Sequence, residues 1–306
     1  MDRLRAMSIF AEAVESGSFS AAGRQLGIPL PTVSRTIAEL ETHLKARLLN
    51  RTTRQLTLTD AGRSYLASCK RILEQVEEAE RGAAGEYSIP KGELVVTAPL
   101  AFGRVHVLPV ICEFLGAYPD IDIHLSLSDR VVHLVEDHVD VAVRIGALPD
   151  SSMIATRAGF IRHIVCASAD YLKRNGMPRE PVDLAAHACI TFEGLRYPNA
   201  WTFGQQNHPI EVPIHSRLTV NTAEAAVDAA MAGVGITRVL SYQAATLVRA
   251  GALKIILEKF EPEPLPVHLV YGAQGLVPLK LRAFLDFALP RLKDSLASRA
   301  ALTPPD

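Results

Sequence analysis

The joint formed by Gly23, Gly27 and Val33 constrains this chain more than any other feature. Before it, Leu4, Met7, Phe10, Ala11 and Val14 recur at helical intervals, predicting a helix from Asp2 to Ser16 that Gly17 stops. Ser18 or Ser20 offers a hydroxyl cap to a short second helix through Ala21, Ala22, Gly23 and Leu26, which Gly27 ends. A third helix begins around Pro31 and carries Val33, Ile37, Leu40 and Leu44 on one side. A small residue at position 23 lets two helices approach closely, glycine at 27 permits the tight turn, and Val33 plugs the angle between them. This is helix-turn-helix spacing, and it turns the start of the third helix outward. Leu30, Pro31, Thr32, Ser34 and Arg35 form its solvent side, short or forked groups suited to the base edges and phosphates of a major groove.

Lys45, Arg47, Arg51 and Arg54 follow with no acid among them. Leu56 and Leu58 alternate with polar residues, which reads as a two-stranded wing whose tip carries Arg51, Thr52, Thr53 and Arg54. Charge alone fits a solvated hairpin equally well. The adjoining helix-turn-helix favours contact with phosphates or the minor groove, an affinity that falls with salt. With 32 Lys and Arg against 33 Asp and Glu, the net charge is −1. That excludes a polybasic coat for nucleic acid, so a DNA site here is local.

From Phe10 through Gly62 the chain resembles the winged helix-turn-helix of LysR-type transcriptional regulators. The matching residues are Ser18-Phe19-Ser20-Ala21-Ala22, Leu26, Pro31-Thr32-Val33-Ser34-Arg35, Ile37, Leu40-Glu41, Leu44, Arg51-Thr52-Thr53-Arg54, Leu58-Thr59 and Ala61-Gly62. The sequence departs from the family at Gly23 for a frequent Ala, Pro29-Leu30 for Ser-Gln, Lys45 for Gly and Leu49 for Phe. Loss of the polar pair before Pro31 removes a side-chain amide able to read a base. The resemblance implies double-stranded promoter DNA as partner, a small-molecule effector, assembly as a homodimer and then a homotetramer, and RNA polymerase as a further partner.

Thr59 can cap a helix that opens with Asp60 and runs to about Arg81. Its apolar residues Tyr65, Cys69, Ile72, Val76 and Ala79 are separated by 4, 3, 4 and 3, a coiled-coil seam of roughly two heptads. A second copy or an intramolecular cover would satisfy that stripe; the resemblance implies dimerisation. Gly82 to Pro90 breaks the pattern and reads as a linker. The expected layout is a winged helix-turn-helix in 1–60, a linker helix and hinge in 61–90, and an effector-binding domain in 91–306.

Beyond Glu93, apolar strands alternate with amphipathic helices, predicting a largely parallel α/β arrangement. Strands are expected at Leu94 to Ala98, Ile121 to Leu127 and Val139 to Ile145, with helices at Val105 to Tyr118 and Val131 to Asp137. A second unit starts near Ile161, with strands at Ile190 to Phe192, Val212 to Val220, Gly235 to Thr237 and Leu253 to Leu257, and a helix from Thr222 to Ala232. Pro262, Pro264 and Pro266 mark a crossing back, followed by a strand at Val267 to Tyr271 and a helix at Leu279 to Leu292. Lobe I is thus 91–162 with 267–300, and lobe II is 163–266. Two crossings make a hinge with a cleft between lobes, which resembles the family's effector domain, shaped like a periplasmic solute-binding protein. The fold class is α+β and multidomain.

Ligands in open α/β sheets sit beyond the carboxyl ends of strands and at helix N-termini. Those positions nominate Pro99, Leu100, Phe102, Ser128, Arg144 and Gly146 from lobe I, and Phe192, Asn221 and Thr222 from lobe II. Hydroxyl and amide donors with Arg144 as counter-ion suit a small organic acid or aromatic compound. Arg144 fits a structural ion pair equally well, and Ser128 a helix cap.

Catalytic signatures are not evident, so an enzyme is not expected. Ala232-Gly233-Val234-Gly235-Ile236-Thr237 has neither dinucleotide nor P-loop spacing, and no G-x-S-x-G elbow occurs. His133 and His138 are five apart, off a common helix face, so no metal pair is expected. Cys69, Cys112, Cys166 and Cys189 lack C-x-x-C spacing and read as reduced, mostly structural thiols. The N-terminus runs straight into amphipathic helix and no uninterrupted apolar run reaches membrane-spanning length, so a soluble cytoplasmic protein with no membrane partner and no cofactor is expected.

Overall fold

The computed structural model describes residues 1–51, 56–83, 89–130, 134, 137–149, 152–192, 200–204, 209–272 and 277–300. These form two compact units, Met1–Ile89 and Pro90–Asp306.

The first unit opens with α1 (Arg3–Glu15), α2 (Phe19–Leu26) and α3 (Leu30–Leu44). Asp2 caps α1 by accepting the Arg5 N–H at 3.2 Å, and Ser18, rather than Ser20, caps α2 by accepting that of Ala21 at 3.1 Å. Gly27 ends α2 at φ 65°, a left-handed turn that glycine makes without steric cost. A Cβ on Gly23 would stand 2.8 Å from the Ile28 carbonyl oxygen, and Val33 is fully buried beside it. The joint is built as its spacing predicts. β1 (Leu49–Arg51) pairs antiparallel with β2 (Leu56–Leu58), Leu49 opposite Leu58, and α4 (Asp60–Ala83) follows from the Thr59 cap, whose hydroxyl accepts the Gly62 N–H at 2.9 Å.

One expectation for α4 is corrected. Cys69, which the family resemblance assigned to the dimerisation seam while its spacing also allowed an intramolecular cover, is fully buried inside its own chain in one cluster with Phe10, Val33 and Ile37. Tyr65 joins it on that side, its ring 5.7 Å from that of Phe10. The cause is α1, which packs on α4 and covers the inner half of the stripe. Farther along, Ile72 is 38% exposed and Ala79 is exposed.

The second unit runs in chain order β3 (Gly92–Ala98), α5 (Leu100–Phe102), a π-helical turn (Gly103–Val107), α6 (Leu108–Ala117), β4 (Ile121–Leu127), β5 (Val141–Ile145) and β6 (Met153–Ile161). The chain then enters a second lobe with β7 (His163–Ser168), α7 (Ala169–Asn175), a 3-10 turn (Pro181–Ala186), β8 (Ala188–Phe192), β9 (Ala200–Phe203) and β10 (Ile210–Pro213). That lobe continues through β11 (His215–Val220), α8 (Ala223–Met231), β12 (Ile236–Leu240), α9 (Ser241–Arg249) and β13 (Leu253–Ile256). A 3-10 turn (Glu258–Phe260) leads back to β14 (Leu265–Gly272) and α10 (Leu279–Ala300) of the first lobe.

The sheets have the orders β4-β3-β5-β14-β6 and β11-β8-β12-β7-β13, with β9 and β10 a separate hairpin. They are mixed rather than largely parallel: β4-β3-β5 and β11-β8-β12 are parallel, whereas β14, β6, β7 and β13 run antiparallel to their neighbours. The difference lies in the crossings, which enter and leave through strands instead of helices. The expected single strand from Val212 to Val220 is two, because Pro213 has no N–H to extend a ladder. The expected helix from Val131 to Asp137 falls mostly outside the described residues.

Strand alternation builds three cores in this unit. The first lies between the first sheet and α6 and α10, around Phe114 and Phe284. The second takes Ile164, Cys166, Ile190 and Val239 with α8 and α9, and the third takes the opposite face, Val165, Ala167, Cys189 and Ile236, with Trp201 and Phe203. The run Leu100–Ala117 is apolar and long enough to cross a membrane by composition, and 44% of it is buried, with Phe102, Val107 and Phe114 in the first core.

Candidate functional site

The N-terminal turn of α3 is open. Leu30 is 46% exposed, Pro31 is exposed, and the Arg35 side chain is 75% exposed with its Nε 3.9 Å from Glu39 Oε1. Such a surface pair contributes little, so the guanidinium is available to a phosphate or guanine. Thr32 and Ser34 are half-buried on the same turn, and the helix N-terminus itself favours an anion. Behind it, Glu41 Oε1 accepts the N–H groups of Leu48 at 2.8 Å and Leu49 at 3.1 Å, tying α3 to the first wing strand. Sequence reasoning placed Glu41 in the motif without that role; an acid seven residues before an unpaired strand N–H was the available signal. Arg51 lies in β1, while Thr52, Thr53 and Arg54 fall outside the described residues.

In the first lobe the sheet order sets the ends of β4, β3 and β5 side by side. Ser128 donates its N–H to Ala98 O at 3.0 Å, and its hydroxyl accepts that of Arg130 at 3.1 Å. Leu100 donates to Asp129 Oδ1 at 3.0 Å, so the β4 end also anchors the turn beginning at Pro99. Leu100 is 39% exposed, whereas Phe102 is fully buried, stacked on His106 with centroids 4.6 Å apart. Gly146, at φ 100°, donates to Pro266 O at 2.8 Å and pins the β5 end to the returning crossing. Arg144 is half-buried, its pKa lowered by desolvation, and it already engages another group.

In the second lobe Val220 lies opposite Phe192, bringing the ends of β11 and β8 together. Asn221 is exposed, Phe192 packs partly on the second core, and the Thr222 hydroxyl caps α8 by accepting the Ala225 N–H at 3.3 Å. The lobes meet where Tyr242 of α9 enters the first core, a contact the sequence reading did not identify. The crossings are tied by Arg162, whose Nη1 lies 3.1 Å from Glu258 Oε1 and 3.3 Å from Glu261 Oε2. Among the described residues no group of three His, Cys, Asp or Glu side chains is placed to hold a metal.

Two family profiles match this architecture: a bacterial regulatory helix-turn-helix of the lysR family over residues 4–63, and a LysR substrate binding domain over residues 88–293. The chain belongs to the LysR family. This LysR-type regulator is 35% identical over 288 residues to an HTH-type transcriptional regulator of Xanthomonas campestris pv. campestris, covering 93% of this chain and 84% of the relative. It is 31% identical to the HTH-type transcriptional activator AaeR of Escherichia coli K12, covering 94% of this chain and 93% of the relative. The solved structure of CrgA, a LysR-type transcriptional regulator from Neisseria meningitidis, is 32% identical and aligns over 94% of this chain and 98% of that one with a TM-score of 0.60. As a LysR-type protein the chain is a DNA-binding transcriptional regulator with an effector-binding domain, not an enzyme.

Proposed function

We propose that this LysR-type regulator reads promoter DNA through Leu30, Pro31, Thr32, Ser34 and Arg35 of α3 with Arg51, Thr52, Thr53 and Arg54 of the wing. The observation that carries the reading is the exposed N-terminal end of α3, where Arg35 is held only by a long surface pair with Glu39, together with an antiparallel wing. Phosphate contacts position such a helix and base-edge contacts specify it.

The effector is a small organic acid or aromatic compound held beyond the strand ends by Pro99, Leu100, Ser128, Gly146, Phe192, Asn221 and Thr222. Supporting this are the convergent ends of β4, β3 and β5 in one lobe and of β8 and β11 in the other. Effector binding favours one lobe arrangement over another, changes how dimers pack into a tetramer, and alters wing spacing and DNA bending; it needs only differential affinity between the two states. Dimerisation uses the outer stripe of α4 at Ile72, Val76 and Ala79. RNA polymerase is the downstream partner and the cytoplasm the place of action.

The cleft assignment is tested by melting the full chain with a panel of aromatic and aliphatic carboxylates. A shift seen in wild type is expected to be lost in Ser128→Ala/Asn221→Ala, and a shift of unchanged size there would overturn the assignment.

A further inference from the structure

Arg238 is the central residue of β12, two positions before its carboxyl end at Leu240, and is 9% exposed. Its register partner is Val165 of β7, a residue of the third core, so its side chain leaves the second sheet on that face. The described residues offer it neither a hydrogen bond nor an ion pair; its guanidinium carbon lies 5.7 Å from the Phe203 ring centroid, and its Nε is buried without an acceptor. Burial alone pushes its pKa down to about 10, with no carboxylate opposing the shift. A buried guanidinium lacking a counter-charge is costly to a fold and is rarely kept without a use.

Its neighbours complete a pattern. Ile236 and Thr237 of β12 pair with Cys189 and Ile190 of β8, where that ladder ends, and one residue farther along each strand Arg238 and Thr191 follow on the face of Ile236 and Cys189. Thr191 is fully buried, and its hydroxyl lies 3.1 Å from that of Thr219 on β11 and 2.7 Å from that of Ser216. On the other side of β12, His163 opens β7 opposite Leu240, its Nδ1 buried without a partner. Desolvation and then Arg238 push the His163 pKa down to about 4, which keeps the ring neutral at neutral pH. One face of four adjacent strands thus carries Thr219, Thr191 and Arg238 as a band, with His163 two residues along β7 from Arg238's partner Val165, and among the described residues no carboxylate pairs with Arg238. The band sits toward the lobe junction, since Leu240 at the end of β12 packs against the first lobe's core.

We propose that Arg238, with Thr191 and His163, forms the subsite for the anionic group of the effector, a carboxylate or phosphate. The assignment rests on the cleft reading above and deepens it, moving the counter-ion from Arg144, which is already engaged, to a guanidinium that has no partner among the described residues. A forked, always-charged donor beside hydroxyls matches the planar acceptor pair of a carboxylate or the oxygens of a phosphate.

The test uses the full chain with benzoate, inorganic phosphate and neutral benzamide, read by thermal melting and by fluorescence of Trp201, the chain's single tryptophan, on the same strand as Phe203. An anion at ten times its Kd is expected to raise the melting temperature by about 3–5 °C, with no response to benzamide. A response to benzoate alone assigns a carboxylate, and one to phosphate alone a phosphate. Arg238→Met is expected to abolish the shift while melting no lower than wild type without anion, because it removes an uncompensated buried charge. Arg238→Lys, the milder change, is expected to weaken anion affinity at least about tenfold through loss of the fork. A shift surviving in both variants, or no anion shift in wild type, overturns the subsite. If Ser128→Ala/Asn221→Ala loses the shift while Arg238→Met keeps it, the cleft stands and the Arg238 assignment falls. The reverse outcome keeps Arg238 and removes the cleft residues named above.

Discussion

Phe102 of the first lobe and Tyr242 of the second meet edge to face with ring centroids 5.5 Å apart. Both also contact His106, which hydrogen-bonds Ser295 of α10 through Nδ1 at 2.9 Å. The two lobes therefore share one aromatic cluster instead of merely facing each other. Phe102→Ala leaves a cavity at this junction and is expected to cost about 3–5 kcal/mol, measured as a lower denaturation midpoint for the effector-binding unit. An unchanged midpoint would show that the cluster does not hold the lobes.

Gly62 has no room for a side chain: a Cβ there would stand 2.0 Å from the Leu48 carbonyl oxygen. Gly62→Ala must push α4 away from the first wing strand. A loss of about 1–3 kcal/mol is expected, with specific DNA binding lost alongside it; melting and mobility shift read the two effects separately.

Lys45 ends α3 in the left-handed region at φ 52°. Glycine adopts that conformation without the Cβ penalty, so Lys45→Gly is expected to raise stability by up to about 1 kcal/mol. A decrease would mean that the side chain contributes more than the turn costs.

These elements also show where the sequence was readable. Gly23, Gly27 and Val33 announce their joint because a tight helix pair admits few residue types. Cys69 was misplaced because helical spacing records that a face is apolar but not what covers it, and α1 covers it here. β6, with Arg157 and Gly159 in its run, lacks the apolar alternation that marks a strand. Arg238 escaped notice because a lone arginine among apolar strand residues carries no sign of being buried without a partner; only register and burial reveal it.

Glu261, tied to Arg162, has its pKa raised from 4.5 to about 7, with burial the largest cause. The folded state therefore holds this proton more tightly than the unfolded chain. Its contribution is fully present below about pH 4.5 and is lost as pH rises toward 7. Glu261→Gln is expected to flatten the melting temperature across that window relative to wild type; parallel profiles would contradict the assignment.

Cys112 is exposed, whereas burial pushes the Cys69 thiol up to about 11 and those of Cys166 and Cys189 up to about 12. A thiol reagent at pH 8 is expected to modify Cys112 alone in the native protein and all four cysteines after unfolding. Rapid native labelling of Cys189 would contradict its burial.

The most direct test of the central claim is a mobility shift of the full chain on its own upstream DNA at two salt concentrations, with Arg35→Ala and Arg54→Ala beside wild type. Specific binding that weakens with salt, and weakens further in both variants with a shallower salt dependence, is the predicted result. Binding unaffected by Arg35→Ala and Arg54→Ala, or no specific site there and none in a genome-wide DNA selection, would contradict it.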